Sequence, residues 1–272
     1  MLSIIISSYK PSLLQQLKDN IAATIGDISY EIIAVDNPGK MGICEAYNKG
    51  ATRARYDNFL FIHEDVKFHT PNWGKTLEKY YDLSNVGVMG LAGNIRKFHL
   101  PYGFHSGLNN EGFMFLNHTG HDKIIFEPQK FPFNIKVIDG VFIGMKRIVW
   151  KEFPFDEKLK GFHFYDIDIS LRTSTKYQNV LVTDLDFEHF STGNFGNQWI
   201  ESCISFNKRK NYNYDVINPK ERRDVRRFWY DRLAQEDISL QNRLKYASEL
   251  GLNKDTISAM FKFIVNSKRN SL

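Results

Sequence analysis

The chain has 272 residues, 42% hydrophobic and 14% aromatic, which is long enough for a sizeable core and favours one large domain with a short appendage over two equal domains. Its net charge of +5 suits a phosphorylated ligand, an anionic membrane surface or nucleic acid without choosing among them. The cysteines Cys44 and Cys203 exclude a disulfide framework and a cysteine zinc site, and no apolar run approaches the roughly twenty residues a span needs, so a soluble cytoplasmic protein is expected, with any membrane contact peripheral and at the inner face.

Residues 2–7 form a β-branched run of the kind buried on both faces of a parallel sheet. Pro11 and Ser12 then open a helix with Leu13, Leu14, Leu17, Ile21 and Ile25 on one stripe. Residues 31–35 read as a second strand, 42–54 as a helix whose Ala and Gly content permits close packing, and 58–62 as a third buried strand. Trp73, Leu77, Tyr80 and Tyr81 mark another helix, and 86–92 a further strand. This alternation implies right-handed crossovers and an α/β fold with a doubly wound, mostly parallel sheet and flanking helices. Over 96–132 the periodicity fails in a segment rich in Gly, Asn, His and Phe, as in a functional loop or lid. Regular structure resumes with a strand over 136–145, a helix from about Tyr165, and strands over 180–183 and 187–190. Lys208, Arg209, Lys210, Lys220, Arg222, Arg223, Arg226 and Arg227 then crowd a polar helical tail. A main domain over 1–205 and a basic helical extension over 206–272 are expected.

Ligands of open α/β sheets bind outside the carboxyl ends of the strands, and the residues there are polar. Ser7-Ser8-Tyr9-Lys10-Pro11 lacks the glycines with which a dinucleotide fold or a P-loop brings backbone against phosphate. Asp36 ends the second strand, where a carboxylate can accept a ring N–H from uracil, thymine or guanine; a solvated turn is the plain alternative. His63-Glu64-Asp65 follows the buried third strand, and acidic oxygens there suit a hard divalent cation bridging two phosphates. His69 falls six residues after His63, which excludes the spacing of a zinc-protease helix. His99, His105, His118 and His121 lie in the irregular segment without carboxylates at ligand spacing and read as part of an acceptor-binding loop. Nucleic acid is a poor partner, because the basic residues gather in one tail without interleaved aromatics. That tail reads first as a solvated helix face, with contact to anionic lipid headgroups as the alternative.

Taken in order and spacing, residues 2–9, 31–37, Gly42 with Ala46, Asn48, Gly50 and Ala51, and then 59–66 resemble the N-terminal half of family-two glycosyltransferases of the GT-A fold. Ile138-Asp139-Gly140-Val141-Phe142-Ile143-Gly144 is similar to that family's acceptor-side strand, and Tyr165-Asp166-Ile167-Asp168-Ile169-Ser170-Leu171-Arg172 to its Glu-Asp-x-Asp-Leu-x-x-Arg helix. The likeness covers roughly the first two hundred residues and leaves the basic tail unexplained.

The resemblance implies an inverting transfer of a sugar from a UDP-, GDP- or dTDP-linked donor to an acceptor hydroxyl, in polysaccharide or glycoconjugate synthesis. Asp36 is then the base contact, and Ser7 and Tyr9 line the nucleoside pocket. Asp65 is the aspartate that binds Mn²⁺ or Mg²⁺, and His189 completes the metal site. His63 stands where the family has Asp, so it is expected on ribose or phosphate with Glu64 beside it on the nucleotide, and metal dependence is open. Asp139 and Gly140 fall on the acceptor side. Asp166 is the catalytic carboxylate, at a helix start whose backbone groups can hold it ionised. Tyr165 replaces the family's Glu, and Asp168, two positions on, faces away from Asp166. A non-catalytic nucleotide-sugar-binding protein and a sugar-phosphate nucleotidyltransferase are the alternatives, the latter disfavoured by the missing Gly-rich basic loop.

Overall fold

The computed structural model describes residues 1–119, 130–191, 193–209 and 211–266. Its contacts group the chain into two compact units, Met1–Ile95 with Phe113–Thr192, and Arg96–Gly112 with Gly193–Leu272.

The first unit contains, in chain order, β1 (Leu2–Ser8), α1 (Pro11–Thr24), β2 (Tyr30–Asp36), α2 (Ile43–Arg53), β3 (Asn58–Ile62), β4 (Val66–Phe68), α3 (Trp73–Tyr81), β5 (Val86–Gly90), β6 (Ala92–Asn94), β7 (Gly112–Met114), β8 (Asn117–His118), β9 (Phe133–Ile135), β10 (Val137–Ile138), β11 (Phe142–Lys146), α4 (Arg147–Glu152), α5 (Tyr165–Thr173), β12 (Gln178–Leu181) and β13 (Phe187–His189). The main sheet has seven strands in the order β2-β1-β3-β11-β5-β12-β9, and two three-stranded sheets, β10-β6-β7 and β4-β13-β8, accompany it.

The main sheet is mixed rather than mostly parallel. Three of its pairings are parallel (β1 with β2, β1 with β3, β12 with β5), but β11 runs antiparallel to both β3 and β5, and β9 antiparallel to β12. Buried strands of either direction read as continuous apolar runs, so strand direction was not legible in the pattern. Two expected strands are also divided. Residues 136–145 break at Asp139-Gly140-Val141 into β10 and β11, and 86–92 break at Leu91 into β5 and β6, each half entering a different sheet. The irregular segment contributes the short strands β7 and β8.

The core explains most of the aromatic content. Tyr47, Phe59, Phe61, Phe155 and Tyr165 are buried in one cluster, with Tyr47 and Phe155 ring centroids 5.0 and 4.9 Å from Phe61. Burying each such ring contributes about 1.5–3 kcal/mol. Pro11 opens α1 at a position where its missing N–H costs nothing, and Leu17 and Ile21 turn inward.

The second unit is helical: α6 (Asn197–Asn207), α7 (Pro219–Leu233), α8 (Leu240–Leu250) and α9 (Ile257–Val265). Asn218 and Glu221 form a reciprocal cap at the start of α7. Trp199 of α6 stacks on Trp229 of α7 at 5.3 Å. Part of the basic character is internal: the buried Arg243 guanidinium donates to the carbonyls of Ile238, Glu236 and Phe263 at 3.0, 2.6 and 2.6 Å. Among the described residues no helix is long and apolar enough to cross a membrane.

Candidate active site

Register aligns the ends of three parallel strands. Ser8 pairs with Asp36 and Ile6 with Ile62, so Ser7, Asp36 and His63 share the carboxyl edge of β1, β2 and β3. Strand β11 runs the opposite way, Phe142 beside Ile62, and the His63 N–H donates to the Val141 carbonyl at 3.2 Å. The reversed strand therefore delivers its entry, Asp139-Gly140-Val141, to the edge where the parallel strands deliver their exits.

Glu64 shapes the loop after β1. One of its carboxylate oxygens accepts the Tyr9 and Lys10 N–H groups at 3.0 and 2.8 Å, and the other accepts the Ser8 hydroxyl at 2.8 Å. Tyr9, on that loop, is 64% exposed. The Ser7 hydroxyl accepts from the Asn37 side chain at 3.1 Å, and Asn37 also ties its own turn through Met41. The Asp36 side chain stands exposed at the end of β2.

Pairing of Val66 with His189 across β4 and β13 carries a distant histidine to the side of Asp65. His189 Nε2 is 3.3 Å from Asp65 Oδ1, and His63 Nδ1 is 3.9 Å from the same oxygen. Ligand atoms of His63, Asp65 and His189 all lie within 4.8 Å of one another. A cation bonded to protein N and O atoms at roughly 2 Å holds its ligands about 3–3.5 Å apart, so a small closure completes the fit. Two imidazoles beside one carboxylate make a mixed nitrogen and oxygen donor set suited to a divalent cation. Burial raises the Asp65 carboxyl, but the hydrogen bond and charge of His189, with the charge of His63, outweigh it and hold it at about 2. Burial, reinforced by His189, lowers His63 below its ordinary value, which leaves a neutral imidazole able to bind a metal.

His118 pairs with His189 across β8 and β13, yet its Nδ1 donates to the Ser191 carbonyl at 2.9 Å. His99 and His105 lie in the second unit, where His99 donates to the Asn207 carbonyl at 2.7 Å and His105 accepts the Gly107 N–H at 3.1 Å. His121 lies outside the described residues.

Helix α5 starts after Phe164, a buried aromatic residue in the left-handed region at φ 66°, a conformation costing of order 1–3 kcal/mol. The Asp166 carboxylate accepts the Ile167 N–H at 2.9 Å. Burial and then the neighbouring Asp139 carboxylate raise it, the N–H groups of Ile167, Asp166 and Gly140 oppose them, and the balance is about 7. The helix start therefore does not keep this group in the ordinary carboxylate range, because desolvation and a like charge exceed what the peptide donors supply. Asp168 is buried in an ion pair with Arg172 at 2.6 Å, a structural role. Tyr165 donates its hydroxyl to the Gly140 carbonyl at 2.9 Å, and the same oxygen lies 2.8 Å from His63 Nε2. That contact, and the pairing of Asp139 with Asp166, join residues far apart in the chain and leave no spacing signal.

The model of the glycosyltransferase-like family matches residues 9–219. The chain belongs to this glycosyltransferase-like family. Among solved structures, this glycosyltransferase-like chain is similar to S. aureus TarS, with a TM-score of 0.51 at 11% identity over 99% of this chain and 49% of that one. GalNAc-T7 with UDP, GalNAc and Mn²⁺ matches with a TM-score of 0.49 at 10% identity over 70% of this chain and 44% of that one. The mannosyltransferase PcManGT from Pyrobaculum calidifontis, in complex with GDP-Man and Mn²⁺, matches with a TM-score of 0.46 at 12% identity over 99% and 70%. The chain thus spans less than half the length of TarS and of GalNAc-T7. The likeness to TarS is one of fold, and it agrees with the mixed α/β architecture described above. No curated protein matches the sequence.

Proposed function

We propose that this protein is an inverting glycosyltransferase that moves a sugar from a nucleotide-diphosphate donor to an acceptor hydroxyl, in polysaccharide or glycoconjugate synthesis. The observation that carries the reading is a shared location: a polar strand edge with Ser7 and Asp36, a His-Asp-His cluster, and a carboxyl raised to about 7 at Asp166.

In this reading Asp36 accepts a ring N–H of uracil, thymine or guanine, and Tyr9 and Ser7 border the nucleoside. Glu64 acts on the nucleotide through the loop it holds. His63, rather than meeting ribose or phosphate, would join Asp65 and His189 in holding a divalent cation, which would supply positive charge to the departing diphosphate. Asp166 takes the proton of the acceptor hydroxyl while that oxygen bonds to the anomeric carbon and the bond to the diphosphate breaks on the opposite face. Asp139 and Gly140 border the acceptor. A group poised near the working pH is well placed to accept that proton and release it afterwards.

The test is turnover of UDP-, GDP- and dTDP-sugars with Mn²⁺, with Asp166→Asn beside the unaltered protein and the product's anomeric configuration read by NMR. Asp166→Asn should lower turnover about a hundred- to ten-thousandfold while nucleotide binding persists. Undiminished turnover removes Asp166 from the role of base, and a retained configuration removes the inverting mechanism. Nucleotide binding without donor cleavage identifies a binding protein, and release of pyrophosphate from a nucleoside triphosphate identifies a nucleotidyltransferase.

A further inference from the structure

Two of the positions at which this sequence departs from the glycosyltransferase pattern, His63 in place of Asp and Tyr165 in place of Glu, touch each other. They are 102 residues apart, and His63 Nε2 lies 2.8 Å from the Tyr165 hydroxyl. A phenol has one proton to donate, and the Tyr165 proton goes to the buried Gly140 carbonyl at 2.9 Å. A carbonyl can only accept, so the proton between Tyr165 and His63 belongs to the imidazole. His63 is therefore the Nε2–H tautomer, and its Nδ1, the nitrogen facing Asp65 at 3.9 Å, carries a lone pair. Gly140 is part of the arrangement, since a Cβ there would lie 2.3 Å from the Tyr165 hydroxyl oxygen.

We propose that Tyr165 is a positioning residue which, anchored on the Gly140 carbonyl, holds His63 as a third protein ligand through Nδ1 and thereby sets the metal preference of the site toward Mn²⁺ and Co²⁺ over Mg²⁺. The chain of contacts is carbonyl, phenol, imidazole and cation, in which the outer group fixes the ligand's ring orientation and tautomer. Mn²⁺ accepts imidazole nitrogen and Co²⁺ binds it more strongly, whereas Mg²⁺ prefers oxygen. The two departures thus compensate each other: a carboxylate at position 63 needs no tautomer partner, and an imidazole does. This inference rests on the cluster holding a cation and does not depend on sugar transfer.

The experiment measures Mn²⁺ binding to the full-length protein by the EPR signal of free Mn²⁺, with Mg²⁺ competition and the visible spectrum of Co²⁺ as second readouts. The unaltered protein should bind Mn²⁺, Asp65→Ala should lose it, and Tyr165→Phe should weaken it about ten- to a hundredfold with a changed Co²⁺ spectrum. In a His63→Ala background Tyr165→Phe should have no further effect, because no imidazole remains to orient; a general loss of packing would weaken both backgrounds alike. His63→Asp should shift preference toward Mg²⁺. Equal Mn²⁺ affinity in Tyr165→Phe and the unaltered protein, with Asp65→Ala still defective, overturns the role of Tyr165 and leaves the metal site standing. Mn²⁺ bound by none of the proteins overturns both.

Discussion

Asp166 is held by opposing demands. Burial and the Asp139 carboxylate lift its carboxyl from an ordinary 3.8 to about 7, so the native state retains a proton that the unfolded chain releases. The sign follows from linkage: stability is greatest below the unfolded value and declines as pH rises from about 4 through 7. Activity runs the other way, since only the carboxylate accepts a proton. kcat/KM should rise about tenfold per pH unit below 7 and level off above it. Asp166→Asn should flatten the stability curve and give a higher Tm than the unaltered protein at pH 8, checked by thermal denaturation across pH 4–8. A Tm that falls in step with the unaltered protein's over that range would show that the carboxyl is not the group responsible. At this scale Asp36 and Asp65 were legible in the sequence from their strand ends, and Asp166 from the resemblance of residues 165–172 to the family's helix. Electrostatic state was not, because the charge that perturbs Asp166 comes from Asp139, on the other side of a chain reversal.

Two glycines separate scaffold from site at the level of elements. On α2, a Cβ at Gly50 would lie 2.3 Å from Cγ2 of Ile5 on β1, so the glycine allows the helix to lie close on the sheet. Alanine gains about 1 kcal/mol of helix propensity, but overpacking of this kind costs about 1–3 kcal/mol, and a clash with a β-branched core residue should win. Gly50→Ala should lower the midpoint of denaturant unfolding and leave Mn²⁺ affinity unchanged. Gly140→Ala should cost similar stability and also weaken Mn²⁺ binding, because its new methyl displaces the Tyr165 hydroxyl. If both variants bind Mn²⁺ alike, the entry to β11 does not govern the metal site. The three-residue β4, too short to show a period, was missed, but the helices up to residue 81 and the strands β1, β2 and β3 were readable because burial and period coincide there. The direction of β11 and the break at Asp139 were not, since an apolar run records burial and not orientation.

The charge of the whole molecule is unevenly divided. The second unit holds 17 of the 36 Lys and Arg but 10 of the 31 Asp and Glu, an excess of seven positive charges, and the first unit is acidic by two. Leu240 and Leu244 on α8, and Ile257, Phe261 and Val265 on α9, face outward at successive helical turns, with the exposed Lys245 and Lys262 next to them in sequence. Basic residues near an anionic bilayer contribute about 1 kcal/mol each, and salt screens them over about 8 Å at physiological ionic strength. Sedimentation with anionic vesicles should therefore decline steeply with added salt, be absent with zwitterionic vesicles, and weaken in Phe261→Ser. Binding that is indifferent to lipid charge would rule out this electrostatic contact. By itself the sequence determined which segments are buried, where the polar strand ends fall and which carboxylates stand on them, because burial and local backbone preference act within a few residues. The resemblance had already placed Asp65 and His189 together, but only the tertiary structure decided that His63 joins them, that the Tyr165 hydroxyl meets the His63 ring, and that Asp139 raises Asp166. Those outcomes depend on register and strand direction, which bring together groups as much as 126 positions apart and which no short-range pattern encodes.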